Sequence, residues 1–353
     1  LIDPTAEELI GAIAPYDALI VHPNTVVDSS LLDAAENLKI IGRAGVTVDN
    51  IDIEAASERG VIVCNAPNSN VISAAEHTMA LLLAAARHIP EASASMHEGQ
   101  WRRADFMGSE LFGKTLAIFG LGRVGGLVAE RAAAFGMNLI GHDPYCSPER
   151  ALHLGVTLYD DMAPVLAQAD FITVHLPRTV STLGMFGADE FAAMKDGVRI
   201  VNLARGELVD TPALKAALDS GKCAAYVTDF PNSETAAIEG VVAIPHLGAS
   251  TPESEDNCAM MAAREVKEYL DNGSIINSVN LPNLTMAWAA KTRVCVISKG
   301  ADAAAIAGAV PAVASASNTR GEYAYTILDT DAAVDEAAIA AIPGVLRVRV
   351  LTR

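Results

Sequence analysis

The string Gly120-Leu121-Gly122-Arg123-Val124-Gly125 follows an apolar run, Leu116 to Phe119, and opens a helix-like stretch. Glycines at this spacing permit a tight turn and let a backbone approach a ligand closely. The helix that starts there then offers free N–H donors and the positive end of its dipole to a pyrophosphate. Such a string also arises at ordinary turns, so its surroundings decide. The next strand-like run ends at Asp143, 18 residues past the third glycine, where a ribose-binding acid belongs. A carboxylate there accepts from a 2′-hydroxyl and repels a 2′-phosphate. This favours NAD over NADP, with Gly120, Gly122, Arg123, Val124, Gly125 and Asp143 as cofactor-binding residues.

Three further positions carry chemistry at the ends of strand-like runs. Arg205, in Asn-Leu-Ala-Arg-Gly, would face the ligand crevice of a parallel sheet, and a guanidinium suits a carboxylate because it donates two parallel hydrogen bonds. Without neighbours it would read as a surface arginine. His246, in Pro-His-Leu-Gly, follows another strand, and Glu234 precedes it across a short segment. Glu234 could hydrogen-bond one ring nitrogen of His246 and orient the other, supplying the proton traffic that accompanies hydride transfer. A lone histidine is more often structural, so it is the company of Arg205 and Glu234 that makes His246 the expected acid/base.

Other chemistries find no support. His77 and His88 share a helix without ligand-like partners, no metal site is expected, and no H-E-x-x-H, P-loop or G-x-S-x-G string occurs. The net charge of −18 argues against a nucleic-acid partner. The strongest apolar helix-like run, residues 79–86, is too short to cross a bilayer, so no membrane partner is expected. Five scattered cysteines without a Cys-x-x-Cys suit free thiols in a reducing compartment, and no secretory leader is recognisable, so the expected location is cytoplasmic.

The elements that must position these residues alternate. Strands are expected at residues 18–21, 38–41 and 61–64, with helices at 5–13 (capped by Thr5), 29–36 and 53–59. A helix from 73 to 88 is expected to open on a capping box of Ser73 and Glu76. Further strands are expected at 116–119, 138–141, 171–175, 199–203, 224–228 and 241–244. Thr211-Pro212 and Thr251-Pro252 mark helix starts. After Pro282 come a strand (293–297), an alanine-rich helix within 301–316, a strand (323–328), a helix (335–341) and a strand (346–351). Residues 1–4 read as the tail of a strand, and a strand and helix are expected ahead of them, so the first lobe reads as truncated.

These motifs, in this order, resemble the D-isomer-specific 2-hydroxyacid dehydrogenases. The matching stretches are residues 41–50, 74–79, 120–125, 202–206 and 245–251, which together span most of the chain. The resemblance implies an α/β fold of two Rossmann-like lobes plus a small C-terminal α+β ACT-like domain. The substrate-binding lobe would comprise residues 1–72 and 250–282, the NAD-binding domain 73–249, and the ACT-like domain 290–353. It also implies that Arg205 binds the substrate carboxylate, that Glu234 partners His246, and that His175, Pro177, Ala204, Asp229 and Gly248 join the NAD-binding residues. Residues 44–47, with Gly45, Val46 and Thr47, match a loop that holds the substrate carboxylate. Arg43 matches a cation near the substrate's far end.

The activity so implied is NAD-dependent oxidation of a phosphorylated 2-hydroxy acid, 3-phosphoglycerate, to 3-phosphohydroxypyruvate, the entry to serine synthesis, by a homo-oligomer (dimer or tetramer). Departures from the family pattern sustain two alternatives. His22-Pro23 stands where an arginine and serine are usual, Thr47 replaces a glycine, and the ACT-like segment is shortened between Lys299 and Asn318 without a glycine-rich loop. One alternative is a reductase of glyoxylate, hydroxypyruvate or another unphosphorylated 2-keto acid. The other, from a different class, is a non-catalytic NAD-sensing protein.

Overall fold

The structure, a computed structural model, describes residues 4–353, so the strand tail expected at the start lies largely outside the described residues. The chain divides into two compact units, Leu1–Ser69 with Glu255–Arg353, and Asn70–Ser254. The C-terminal module thus clusters with the first lobe.

The first unit begins with α1 (Ala6–Ala12), β1 (Ala18–Val21), α2 (Ser29–Ala34), β2 (Ile40–Arg43), α3 (Ile53–Glu58) and β3 (Ile62–Asn65). Each helix starts on a side-chain oxygen that accepts a free backbone N–H: Thr5, reciprocated by Glu8, then Asp28 and Asp52. The three strands form a parallel sheet in chain order, and Val21, Ile41 and Val63 pack with Leu31, Leu32 and Ala56 of the helices.

The second unit opens on α4 (Val71–Arg87) and α5 (Ile89–His97), followed by β4 (Thr115–Phe119), α6 (Arg123–Ala134), β5 (Asn138–His142), α7 (Pro148–His153), β6 (Thr157–Leu158), α8 (Met162–Gln168), β7 (Phe171–Val174), α9 (Ala188–Ala193), β8 (Val198–Asn202), α10 (Thr211–Asp219), β9 (Cys223–Thr228), α11 (Ser233–Ala236) and β10 (Val241–Ala243). The strands pair in parallel in the order β10-β9-β8-β7-β4-β5-β6. The chain order reverses between β4 and β7, the switch point at which such sheets open a ligand crevice beyond the strand C-termini. Both faces of the sheet are buried. Leu116 and Ile118 pack to the side of α4 and α6, and Ala117 and Phe119 to the side of α8 and α9, so the central strands read as unbroken apolar runs.

Two expected caps are placed differently. The first long helix begins at Asn70, not at a capping box: Ser73 lies inside it and shares a hydrogen bond with Thr251 Oγ1, while Glu76 pairs with Arg131. Asp210, rather than Thr211, caps α10 by accepting from the Ala213 N–H.

The chain then runs through α12 (Pro252–Asn272), which Thr251 caps through the Ser254 N–H, and stops at Gly273 with φ +70°. The remaining elements are β11 (Thr292–Lys299), α13 (Ala303–Ala307), β12 (Ala314–Arg320), β13 (Tyr323–Thr330), α14 (Glu336–Ala340) and β14 (Val345–Thr352). They form an antiparallel sheet in the order β12-β13-β11-β14, a ferredoxin-like βαββαβ arrangement. The alanine-rich region is only five residues of helix before β12 begins. Gly308 and Pro311 interrupt it, and the alternating Ala and Ser side chains of 314–317 suit an edge strand.

Within the first unit, one face of this sheet packs Val294, Val296 and Leu328 against Ile306 and Ile339 of α13 and α14. The other packs Cys295, Ile297, Tyr325 and Ile327 against Val266 and Tyr269 of α12 and against Ile40 and Ile62. A fully buried ion pair, Arg293 to Asp329 at 2.7 Å, joins the strands, and Arg293 Nη1 also donates to the Asn272 carbonyl that ends α12. Tyr325 donates to the Gly273 carbonyl at 2.6 Å.

Candidate active site and cofactor loop

In the second unit the glycine string occupies the end of β4. Gly120 adopts φ +93°, and a Cβ there would lie 2.6 Å from the His175 carbonyl, so only glycine fits between the two strand ends at the switch point. A Cβ on Gly125 would meet the Gly120 carbonyl at 2.0 Å, which explains the third glycine by helix–strand packing. A Cβ on Gly122 would meet nothing within 4 Å. That open side, together with the absence of any side-chain cap on α6 among the described residues, leaves the first N–H groups of the helix available to an anion. Arg123 is exposed and Val124 half-buried at this helix start.

Asp143 sits just past β5. Its Oδ2 accepts the Leu121 N–H at 2.8 Å and its Oδ1 the Tyr145 N–H at 2.9 Å, so the carboxylate braces the glycine loop as well as facing it. Each oxygen retains a lone pair for a ribose hydroxyl. His175 follows β7; its Nε2 pairs with Thr173 Oγ1 at 2.9 Å, and burial of the ring pushes its pKa down to about 4, keeping it neutral. Pro177, two residues on, is exposed. These residues fit a pyrophosphate and an adenosine ribose.

The same end of the sheet carries the charged set. Arg205 and His246 are both exposed, and one residue brings them together that the sequence reading did not single out. The Phe230 ring lies 4.8 Å below the Arg205 guanidinium and 4.3 Å from the His246 ring. A cation over an aromatic face and a tilted ring pair are both favourable. The only sequence signal was its place after Asp229 at the end of β9. Asn202 is a second such residue: its side chain donates to the Arg205 carbonyl and to Tyr226 Oη, and accepts from the buried Ala204 N–H, so it shapes the turn that presents Arg205.

His246 has φ +53°, an unusual left-handed backbone for a non-glycine residue. Its N–H is shared by the carbonyls of Asp229 and Ile244, both at 3.1 Å. Asp229, 1 % exposed, accepts the N–H groups of Leu247 and Gly248. Backbone strain of this kind is held only where the surroundings over-determine it. Glu234 lies on α11, capped by Asn232, and is exposed. Among the described residues no hydrogen bond or ion pair joins Glu234 to His246, contrary to the expected pairing: His246 is held instead by its backbone and by Phe230.

The first unit carries the loop after β2. The Gly45 carbonyl accepts from the Ala66 N–H and the Val46 carbonyl from Asn65. The N–H groups of Val46 and Thr47 have no partner among the described residues. Arg43 differs from its expected role. It is 7 % exposed, and its guanidinium reaches Ala44 O, Thr47 Oγ1 and Asn50 Oδ1, each at 3.4 Å, beneath its own loop. A Cβ on Gly45 (φ +148°) would fall 1.6 Å from Arg43 Nη1, so the folded-back arginine occupies the space that a side chain at 45 would take. Burial lowers the Arg43 pKa.

Residues 79–248 match the family model described as D-isomer specific 2-hydroxyacid dehydrogenase, NAD binding domain. The chain is 48% identical over 285 residues to a D-3-phosphoglycerate dehydrogenase of Archaeoglobus fulgidus, covering 79% of this chain and 54% of that protein. It is 47% identical over 286 residues to the enzyme so named in Methanocaldococcus jannaschii, covering 79% and 55%. The chain therefore spans about half the length of these curated relatives. Among solved structures, the TT0316 protein of Thermus thermophilus is 31% identical with a TM-score of 0.66, covering 79% of this chain and 91% of that one. A glyoxylate reductase from Paecilomyes thermophila is 30% identical with a TM-score of 0.64, covering 77% and 88%.

Proposed function

The chain belongs to the D-isomer specific 2-hydroxyacid dehydrogenase family, and from that premise we propose that it oxidises 3-phosphoglycerate to 3-phosphohydroxypyruvate with NAD. The observation that carries this reading is the gathering of Arg205 and His246 on Phe230, in the same unit as the NAD-type glycine loop. The names of the relatives at 47–48% identity support the substrate. NAD, held by the glycine loop at 120–125 and by Asp143, would supply the hydride acceptor for C2 of the hydroxy acid. His246 takes the proton of the 2-hydroxyl as the C2–O bond becomes a carbonyl. Arg205 holds the substrate carboxylate through paired N–H donors. Glu234 must move to act, because its role requires a hydrogen bond to His246, and Arg205 must release its Nη1 bond to the Ala204 carbonyl to offer two donors.

A second reading, reduction of glyoxylate, hydroxypyruvate or another unphosphorylated 2-keto acid, is favoured by the burial of Arg43 within its loop and by His22 at the end of β1. The βαββαβ module is ACT-like in its strand order and, with its two edge strands, suits assembly of a homo-oligomer. Five free thiols suit a reducing compartment such as the cytoplasm, and no helix among the described residues is long and apolar enough to cross a membrane. Measuring kcat/KM for 3-phosphoglycerate with NAD, and in reverse for hydroxypyruvate and glyoxylate with NADH, tests the assignment. A preference for the phosphorylated substrate is expected. A preference for glyoxylate would favour the second reading, and NADH binding without turnover of any of them would leave a cofactor-sensing protein.

A further inference from the structure

A cavity in the NAD-binding unit lies at the opposite end of the sheet from the glycine loop. It occupies about 190 Å³ at the N-terminal ends of β4, β7 and β8, between Ser109, Lys114, Lys195 and Arg199. That is smaller than the roughly 300–1,000 Å³ of pockets for drug-sized ligands.

Its polar groups are donors left over after every nearby acidic group has been satisfied. Asp170 accepts from Lys195 Nζ at 3.0 Å and from the Thr115 N–H at 2.9 Å. Burial opposes its ionisation, but these two donors together hold its pKa below the ordinary value. Asp196 accepts from Lys222 at 2.9 Å. What remains is the Arg199 guanidinium, whose Nε is shut off from solvent and has no hydrogen-bond partner, and the Ser109 hydroxyl, in the same condition. The Lys114 ammonium makes no hydrogen bond or ion pair among the described residues.

The Arg199 guanidinium lies 5.8 Å over the Phe171 ring, a weakly favourable placement at the cavity wall. Buried donors left unpaired are costly, and the Arg199 Nε and the Ser109 hydroxyl are two such donors on a half-buried arginine and serine. The cavity is lined by three cations, Lys114, Lys195 and Arg199, and by two carboxylates, Asp170 and Asp196, so one positive charge is left over in a chain of net charge −18. An acceptor that answers the guanidinium and the hydroxyl at once must be anionic, compact and rich in oxygen.

We propose that this cavity binds a small oxyanion of the phosphate class, held by the Arg199 guanidinium and the Ser109 hydroxyl and attracted by Lys114. The site is separate from the cofactor loop, which lies at the other end of β4. Free phosphate is the source that the small volume favours, and a phosphate group on a larger molecule shares the same chemistry.

The test is calorimetric titration of the whole chain with inorganic phosphate at constant ionic strength, in the presence of saturating NADH to occupy the cofactor loop. A parallel titration with glycerol 3-phosphate separates the two sources, and the proposal expects the free ion to bind more tightly. The dissociation constant for phosphate should rise at least tenfold in Ser109→Ala and in Arg199→Met, while NADH affinity stays unchanged. Should Arg199→Met fail to fold, Lys114→Met, on an exposed side chain, gives the same reading with a smaller loss. Absence of phosphate binding at tens of millimolar, binding abolished by NADH, or binding indifferent to these substitutions would each overturn the proposal.

Discussion

The Asp229 carboxylate accepts the Gly248 N–H at 2.8 Å, and a Cβ at position 248 would lie 3.0 Å from that same oxygen. The other oxygen accepts the Leu247 N–H at 2.7 Å. The loop that presents His246 is therefore tied to the end of β9 by a buried acid. In Asp229→Asn one acceptor becomes an NH₂ group facing an N–H. We expect a loss of about 1–3 kcal/mol, the cost of a buried hydrogen bond left unmade, together with a fall in turnover. Urea denaturation and steady-state rates on the same preparation would check it. Unchanged stability would mean that Asp229 does not hold this loop.

Much of this was legible beforehand. The strand at 18–21, the central strands of the NAD-binding unit and the glycine loop were legible because both-face burial forces apolar runs and because glycine spacing reports close approach. What was not legible depended on long-range partners. Ser73 and Glu76 have the spacing of a capping box, yet their partners, Thr251 and Arg131, are distant in sequence. Phe230 carries no local signature of its stacking, and Arg43 reads as a free cation until the backbone of its loop folds over it. The edge strand β12 hid in alanine and serine, whose small side chains favour neither periodicity.

Asp143 should govern cofactor choice in two ways. The protein is expected to prefer NADH to NADPH. Asp143→Ala should narrow that preference by removing repulsion of the 2′-phosphate. It should also weaken NADH binding, since the Leu121 and Tyr145 N–H groups lose their acceptor. Fluorescence titration of both cofactors measures both effects. Improved NADPH binding at undiminished NADH affinity would show that the bracing is immaterial.

Arg43→Ala tests whether that arginine recognises phosphate or supports its loop. Its contacts with Ala44, Thr47 and Asn50 predict that KM rises by a similar factor for phosphorylated and unphosphorylated substrates. A rise confined to 3-phosphoglycerate would restore its role as a phosphate cation.

Glu265, on α12, predicts a pH effect on stability. It is 4 % exposed, its Oε1 accepts from Asn277 Nδ2 at 2.6 Å, its Oε2 has no partner, and Cys64 lies nearby. Burial raises its pKa to about 7. The native state therefore holds a proton that the unfolded chain releases above about 4.5, so stability falls as pH rises from there to about 7. Glu265→Gln should flatten that slope, and be relatively more stable at pH 7 than at pH 5 by about 1–3 kcal/mol. Denaturation midpoints at the two pH values decide it, and parallel curves for the two proteins would refute the burial argument.

The most direct test of the account is the turnover of His246→Asn with 3-phosphoglycerate and NAD, set beside its NADH dissociation constant. His246 lies outside the glycine loop, so NADH should bind nearly as before, while kcat falls by about 10²–10⁴-fold, the range for loss of a general acid/base. Turnover equal to that of the unaltered chain would contradict the assignment of His246 to the reaction.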